Sequence, residues 1–185
     1  GLNGLSALSD TDKRRIAVAL GQAEHVEIPT TEAMEAGNMF EQSLASKFNI
    51  DDGWANNFKI KNDWINPRNF DVFAHADFYN NENDIVIEAK YTSSSLEQTE
   101  IDYMSQLQWY YMLGVEQVYL IKGYPGSDFD KFDERFIIRD ENFVDILLRG
   151  IKIIDEFCDT FIYTEKDEWT EGDLLPHEQR AAQLM

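Results

Sequence analysis

Asp77, Glu88 and Lys90 are the residues of this chain whose types and spacing best suit a chemical task. Two carboxylates can hold Mg²⁺ or Mn²⁺, hard cations that take oxygen ligands and keep several waters. Such a metal lowers the pKa of a bound water and neutralises charge on a phosphate, and a nearby lysine can orient or deprotonate that water. The trio therefore indicates metal-assisted hydrolysis of a phosphodiester. The alternative is a surface hairpin whose charges pair for roughly 0–1 kcal/mol.

A β-hairpin is the element that would bring the trio together. The segment contains two strand-like runs and an Asn-rich turn between them: Phe70–Phe78, Ile85–Tyr91 and Tyr79–Asp84. A turn centred between Glu82 and Asn83 pairs residues whose numbers sum to 165, which places Asp77 opposite Glu88. Opposed residues share a face, with Cβ atoms roughly 5 Å apart. Because side chains alternate along a strand, Lys90 is expected on that face too.

The rest of the chain predicts helices and strands in an order typical of an α/β (α+β) sandwich with a mixed sheet. Helices are expected over Thr11–Gly21, from Pro29 through Phe48, over Thr99–Leu113 before the C-cap Gly114, and from the cap Asp140 to about Phe157. Further strands are expected over Phe58–Trp64, Gln117–Lys122 and Glu134–Ile138.

Length and cysteine content favour one domain in a reducing compartment such as the cytoplasm. The 185 residues can form a single domain, 1–185, with a core of about 30–160, an N-terminal arm 1–29 and a C-terminal tail 161–185. The lone Cys158 is expected to be a small core residue, and one cysteine cannot form a disulfide framework within the chain. No apolar stretch approaches the ~20 residues of a membrane helix, so no membrane partner is expected.

The charge balance is unusual for a nucleic-acid-binding protein. The chain has 16 basic and 35 acidic residues, for a net charge of -19. Three explanations remain open: a small basic track set in an acidic shell and aided by bound metal ions, an acidic surface that imitates DNA, or acidity that maintains solubility. The candidates for the track are Lys13, Arg14, Arg15, Lys59, Lys61, Arg68, Lys90 and Lys122.

Two helices carry further candidate site residues. Gln106 and Tyr110 are four residues apart and so form one patch beside Tyr103, which could hydrogen-bond phosphate or a metal-bound water. Both could equally be ordinary half-buried helix residues. Glu41, four residues after Gly37, would be a third carboxylate if its helix packs over the end of the sheet, although a lone helical glutamate is usually solvated.

The ordered set of motifs resembles a known superfamily. Gly37-x-x-x-Glu41, Asp77, Glu88-Ala-Lys90 and Gln106-x-x-x-Tyr110 together resemble the PD-(D/E)XK nucleases. The block Tyr103–Tyr110 is particularly similar to the RecB-like and YqaJ-like phage recombination exonucleases related to lambda exonuclease. The resemblance spans Glu35 to Phe157 and implies a restriction-endonuclease-like core, a mixed central sheet flanked by helices.

The resemblance also implies a role for each matching residue. Asp77, Glu88 and Glu41 would bind Mg²⁺ or Mn²⁺, with the Ala89 carbonyl as a further ligand. Lys90 would position or activate the attacking water. The catalytic set would be completed by the supporting amide of Gln106, with Tyr110 a weaker candidate. Ala76 precedes Asp77 where the superfamily name has a proline, a departure that leaves the assignment in place.

The implied activity is divalent-metal-dependent exonuclease digestion of linear double-stranded DNA in recombination or repair, in a bacterial or phage-infected cell. The implied partners are duplex DNA ends, further copies of the chain in a ring around DNA, and a single-strand annealing protein. The alternative is a catalytically silent acidic binding protein on the same fold, either a DNA mimic or an assembly partner. Metal binding separates the two, because only the nuclease is expected to be stabilised by Mg²⁺ or Mn²⁺.

Overall fold

The computed structural model describes residues 9–25, 29–48 and 52–163. Its elements in chain order are α1 (Asp10–Ala19), α2 (Glu32–Ala45), β1 (Trp54–Lys61), β2 (Phe73–Asn80), β3 (Ile85–Tyr91), α3 (Leu96–Met112), β4 (Gln117–Gly123), β5 (Phe132–Ile137) and α4 (Glu141–Cys158). Most of the predicted C-terminal tail lies outside the described residues. No described helix combines the length and apolar content needed to cross a membrane.

The five strands form one mixed sheet in the order β1-β2-β3-β4-β5. β3 and β4 are parallel, with α3 as their crossover helix, and the other three pairs are antiparallel. A parallel pair needs such a crossover, whereas antiparallel neighbours can be joined by short turns. The predicted α/β class with a mixed sheet is confirmed.

Short polar side chains determine where the helices begin. Ser9, Thr31 and Ser95 each accept a hydrogen bond from the backbone N–H three residues later, and Asp140 accepts from the N–H groups of residues 142 and 143. These are N-caps, which satisfy donors that a helix start leaves free. The predicted Asp140 cap is confirmed. The predicted start of α3 at Thr99 is wrong by three residues, because Ser95 caps the helix.

Several predicted strand ends also differ from the structure. β1 begins at Trp54 and ends at Lys61, so the predicted range from Phe58 to Trp64 is displaced. Its first half is rich in asparagine, a poor strand former, but it pairs with β2 and so becomes a strand through tertiary contacts. β5 begins at Phe132, two residues before the predicted start.

The chain divides into two compact units. One comprises Gly1–Thr30, Arg68–Phe70 and Ile153–Met185, and the other comprises Thr31–Pro67 and Asp71–Lys152. In the first unit, the side chains of Arg68 and Asn69 donate to the carboxylates of Asp155 and Asp159. Cys158 in this unit is buried, as predicted. The second unit contains the sheet and every residue of the predicted site.

In the second unit, α2 and α3 cover opposite faces of the sheet. Phe40 and Leu44 of α2 pack in an apolar cluster with four strand residues: Phe78, Ile87, Ala89 and Ile121. The side chains of Gln106 and Tyr110 on α3 reach Glu88, which alternates with Ile87 and Ala89 along β3 and so points to the other face. The predicted arrangement of helices flanking the sheet is confirmed, and it encloses the middle of β3 from both sides.

Gly123 is expected to be sensitive to substitution because α2 approaches it closely. A Cβ atom there would lie 2.6 Å from Cε2 of Phe40 and 2.8 Å from Cδ2 of Tyr91. Phe40 is fully buried and cannot move aside freely. Gly123→Ala should therefore destabilise the fold by about 1–3 kcal/mol, measured by urea unfolding.

Gly150→Ala is the matched control for Gly123→Ala. Gly150 lies inside α4, and a Cβ atom there would meet nothing within 4 Å. Alanine is the better helix former, so this variant should be more stable than the parent by up to ~1 kcal/mol. Equal effects of the two substitutions would contradict the packing argument.

Candidate active site

The hairpin has the register that the sequence predicts. Phe78 pairs with Ile87 and Asn80 pairs with Ile85, so the numbers of paired residues sum to 165. The side chain of Asn80 fixes the turn, because its Oδ1 accepts from the backbone N–H groups of Glu82 and Asn83 at 3.1 and 3.0 Å. The turn therefore determines which residues of β2 and β3 face one another at the far end of the hairpin.

Asp77 lies where the backbone pairing of β2 changes on both sides. On the β3 side the ladder covers residues 78–80, and the Asp77 carboxylate beyond it accepts from the backbone N–H of Ala89 at 2.7 Å. On the β1 side the pairing steps from Asn56–Phe78 to Phe58–Ala76. Between those pairs lies Asn57, which has a positive φ of 48°. The β2–β3 pairing therefore ends just before Asp77, whereas the β1–β2 ladder continues in the same register and lacks only the pair Asn57–Asp77.

Glu88 is the best-connected acid of the site. Its carboxylate is 1% exposed and receives three donors from two elements. Oε1 accepts from Lys90 Nζ at 2.6 Å and from Gln106 Nε2 at 2.5 Å. Oε2 lies 2.6 Å from the Tyr110 hydroxyl, which is also 2.9 Å from the His75 carbonyl oxygen and can donate its one proton to either. These contacts fix the position of the carboxylate.

Lys90 lies with its ammonium between the acids and α3. Its side chain is 18% exposed, and Nζ lies 4.6 Å from the centre of the Tyr103 ring. Burial disfavours the charged form, but the charges of Glu88 and Asp77 outweigh it and raise the pKa of Lys90. Before any metal binds, Lys90 is therefore an ammonium that can donate hydrogen bonds to a water or a phosphate.

Glu41 of α2 lies at the other side of the site. It borders a cavity of about 270 Å³ together with Asp77. Burial raises the pKa of Glu41, with the nearby charge of Lys90 opposing and that of Glu88 adding to the shift. Four amide side chains also line this cavity, namely Asn38, Gln42, Asn56 and Asn57. The structure thus brings Glu41 into the electrostatic environment of the other predicted residues.

The fold is shared with solved structures of low sequence identity. SSO0001 is similar over 82% of this chain and 81% of its own, with a TM-score of 0.51 and 18% identity. A phage-related exonuclease from Haemophilus somnus 129PT is similar over 85% of both chains, with a TM-score of 0.54 and 12% identity. The chain has the fold of a phage-related exonuclease.

A further solved structure is similar over most of the chain at a lower TM-score. The alkaline exonuclease LHK-Exo from Laribacter hongkongensis is similar over 95% of this chain and 91% of its own, at a TM-score of 0.46 and 15% identity. No protein-family model matches the chain, and no curated protein matches it. The similarity to the phage-related exonuclease from Haemophilus somnus 129PT confirms, at the level of the fold, the resemblance inferred from the sequence motifs.

Within this exonuclease fold, the donor set fits a hard divalent cation. Burial and the Glu88 charge raise the pKa of Asp77 to about 7, so the two acids are held together at an electrostatic cost that a cation would relieve. No three acidic, histidine or cysteine side chains in the described part of the chain are grouped closely enough to hold an ion. Mg²⁺ commonly needs only one or two carboxylates, since waters and substrate phosphates complete its shell.

The raised pKa of Asp77 predicts how the stability of the exonuclease fold depends on pH. The folded pKa of about 7 lies above the ordinary value of 3.8, so between these values the folded state binds more protons than the unfolded state. Metal-free protein should therefore lose stability as pH rises through this range. Asp77→Asn keeps an oxygen for the Ala89 N–H but has no charge. At pH 8 in EDTA it should be more stable than the parent by about 2–4 kcal/mol.

Urea unfolding at pH 8 and at pH 5 measures this difference. At pH 5 the advantage of Asp77→Asn should shrink, because Asp77 in the parent is then mostly protonated. The other ionisable groups are common to both proteins and cancel in the comparison. If Asp77→Asn is no more stable than the parent at pH 8, the pKa of Asp77 is not raised in the folded protein. The same conclusion holds if the difference in free energy of unfolding is equal at pH 8 and at pH 5.

The structure buries one residue that was only a weak candidate and places others beside the candidate site that the sequence did not single out. Tyr110 was predicted as a weaker candidate, yet it is fully buried and contacts Glu88 directly. The amides around the Glu41 cavity were not predicted. The pair Asn56-Asn57 inside a strand was the available signal, because asparagine is depleted in strands and tolerates positive φ.

Proposed function

We propose that this protein is a divalent-metal-dependent deoxyribonuclease, acting as an exonuclease on the ends of linear double-stranded DNA. The observation that carries the proposal is the convergence of Asp77, Glu88 and Lys90 where the β2–β3 pairing ends, on an exonuclease fold. Hydrolysis forms a bond between the water oxygen and phosphorus, breaks the bond to a deoxyribose oxygen, and transfers a proton to that oxygen. A role in DNA recombination or repair is part of the proposal.

The roles of the residues follow from their contacts. Asp77 and Glu88 would hold Mg²⁺ or Mn²⁺, with the Ala89 carbonyl as a further oxygen ligand and Glu41 bound to the ion through a water, since the three acids are not grouped closely enough to share it directly. The bound cation would lower the pKa of a water and offset negative charge on the phosphate. Lys90 would donate to that water and hold it in line with the phosphorus.

Two residues of α3 would act through Glu88. Gln106 and Tyr110 contact different oxygens of its carboxylate and so limit its rotation. A carboxylate held in one orientation keeps its remaining lone pairs directed at one point, as metal ligands require. Gln106 therefore supports the site without touching the substrate.

The acidic surface needs an explanation in a protein that binds DNA. Bound cations at Asp77 and Glu88 would provide local positive charge, and a ring of several copies would let basic residues line a channel while the outer surface stays acidic. The ring and a single-strand annealing protein as partner belong to the proposal. Size-exclusion chromatography with light scattering measures the number of copies, and a monomer at all concentrations would exclude the ring.

A time course of DNA degradation tests the proposed function. Linear duplex, linear single-stranded and circular DNA, with labels at the 5′ or the 3′ end, would be incubated in Mg²⁺, in Mn²⁺ and in EDTA. The expected result is metal-dependent loss of linear duplex that spares the circle, with the label released first giving the polarity. If folded protein degrades none of these substrates in either metal, the acidic binding protein replaces the nuclease.

A further inference from the structure

Lys122 lies beside the candidate site on the neighbouring strand. In the parallel pairing of β3 and β4 it is the direct partner of Lys90. Direct partners in a sheet share a face, so its side chain points to the α3 face, as do those of Glu88 and Lys90. Lys122 has no role in the candidate site described above, although it lies only one strand away from Lys90.

The ammonium of Lys122 is buried without a hydrogen-bond partner. The side chain is 0% exposed, and Nζ is the only buried side-chain nitrogen or oxygen in the described part of the chain that lacks such a partner. Burial lowers the pKa of Lys122, against the opposing charge of Asp133. A buried charge without hydrogen bonds is costly, so proteins rarely keep one without a ligand or a functional role.

The aromatic ring of Tyr124 covers the ammonium of Lys122. Nζ lies 2.9 Å from the centre of the Tyr124 ring, whose hydroxyl donates to the Asp133 carboxylate. Tyr124 is half-buried and follows directly after β4, in the loop that contains the positive-φ residue Gly126. Rotation of this side chain away from Asp133 would remove the ring from the Lys122 ammonium.

The surroundings of Lys122 suit an anion. The carboxyl ends of the parallel strands β3 and β4 meet here, since the Thr92 N–H donates to the Gly123 carbonyl at 3.2 Å. This edge of a parallel pair is the usual place for ligands in open α/β sheets. The nearby acids Glu97 and Glu100 of α3 are already paired with Arg135, at 3.0 and 2.7 Å.

We propose that Lys122 binds a backbone phosphate of the nucleic-acid strand, next to the phosphate that is cleaved, after the Tyr124 side chain moves off it. The inference rests on the proposed nuclease function and names a binding residue for its substrate. An ammonium next to a phosphodiester gains the charged partner that it lacks in the free protein. The same step relieves the cost of its burial, so substrate binding and opening of the Tyr124 cover are coupled.

Binding of a short fluorescein-labelled duplex, followed by anisotropy in Mg²⁺ in the Lys90→Met background so that digestion is slow, tests the proposal. Lys122→Met should bind the duplex roughly tenfold more weakly, because one charged hydrogen bond is lost. It should also lower the slope of log affinity against log salt by about 1. Lys131→Met is the matched control, since Lys131 is an exposed lysine in the loop that follows β4, paired with Asp128, and should leave affinity nearly unchanged.

Thermal unfolding excludes misfolding as the cause. Methionine removes a buried unpaired charge, so the melting temperature of Lys122→Met should rise while DNA affinity falls. If the parent binds and degrades DNA while Lys122→Met keeps the same duplex affinity and the same salt dependence, this inference is overturned and the proposed function is left intact. A parent that neither binds nor degrades DNA would overturn both.

Inorganic phosphate provides the last arm of the experiment. If phosphate stabilises the parent but not Lys122→Met, and duplex affinity is the same in both, the lysine is a site for free phosphate and the proposal for a backbone phosphate is wrong. If phosphate competes with the duplex in the parent and this competition weakens in Lys122→Met, the proposal is supported.

Discussion

Replacing Lys90 with methionine is expected to lower the rate of DNA degradation by roughly 10²–10⁴-fold, the usual contribution of a positioned proton donor or acceptor. Lys90 Nζ contacts Glu88 at 2.6 Å and is the cation closest to both acids of the hairpin. Methionine has a similar length and can occupy the same space, but it can neither donate to a water nor offset charge. The measurement is the initial rate of nucleotide release from linear duplex in Mg²⁺.

Lys131→Met, which removes an exposed lysine, should retain the parental rate. Duplex affinity should change little in Lys90→Met compared with the rate, since the effect is expected on the chemical step. If Lys90→Met degrades DNA at the parental rate, Lys90 is not a catalytic residue. The hairpin would then have a structural role only. The raised pKa of Lys90 also favours a role as donor, because a base would first have to lose its proton against two carboxylates.

Loss of metal stabilisation in Glu88→Gln is the second large effect that we expect. A cation that binds only the folded state stabilises it by RT ln(1 + [L]/Kd), about 2.7 kcal/mol at a hundredfold excess over Kd. For a chain of this size that corresponds to a rise of roughly 5–10 °C in Tm. Glutamine keeps the shape of Glu88 but lacks the charge, so Mn²⁺ or Mg²⁺ should no longer raise Tm.

Glu134→Gln is the matched control for Glu88→Gln. Glu134 is an exposed acid on β5, and its loss should leave the metal-induced rise in Tm as in the parent. Differential scanning fluorimetry over a metal titration measures both variants. If metal raises the Tm of Glu88→Gln as much as that of the parent, the metal binds elsewhere. If metal does not raise the Tm of the parent, the acidic binding protein is favoured.

The sequence predicted the register of the hairpin better than its surroundings. Side chains alternate along a strand, so one turn position was enough to predict which residues of β2 and β3 pair beside the turn. The turn itself was visible because asparagine clusters favour turns. What the turn could not reveal is the missing pair Asn57–Asp77, because the positive φ of Asn57 lies in another strand.

Contacts between distant segments explain the remaining differences. Whether Tyr110 reaches Glu88 depends on how α3 crosses the sheet, and helix periodicity alone does not determine that crossing. The cavity that Glu41 and Asp77 share depends on how Phe40 and Leu44 of α2 pack against the sheet. The burial of Lys122 depends on the Tyr124 side chain. In each case sequence spacing identifies a candidate, and packing decides its partners.

Two of the acidic residues and the lysine of the candidate site, Asp77, Glu88 and Lys90, lie on one continuous hairpin whose register is set by the Asn80 turn. These three residues are therefore local in the chain, although contacts from α3 complete the position of Glu88. The surfaces that would meet the substrate come from remote segments, namely α2, β1 and the loop after β4. Mutations in these segments can change which substrate is bound while the hairpin preserves the chemistry. Such a division lets evolution diversify specificity on a reaction centre that is inherited as a single piece.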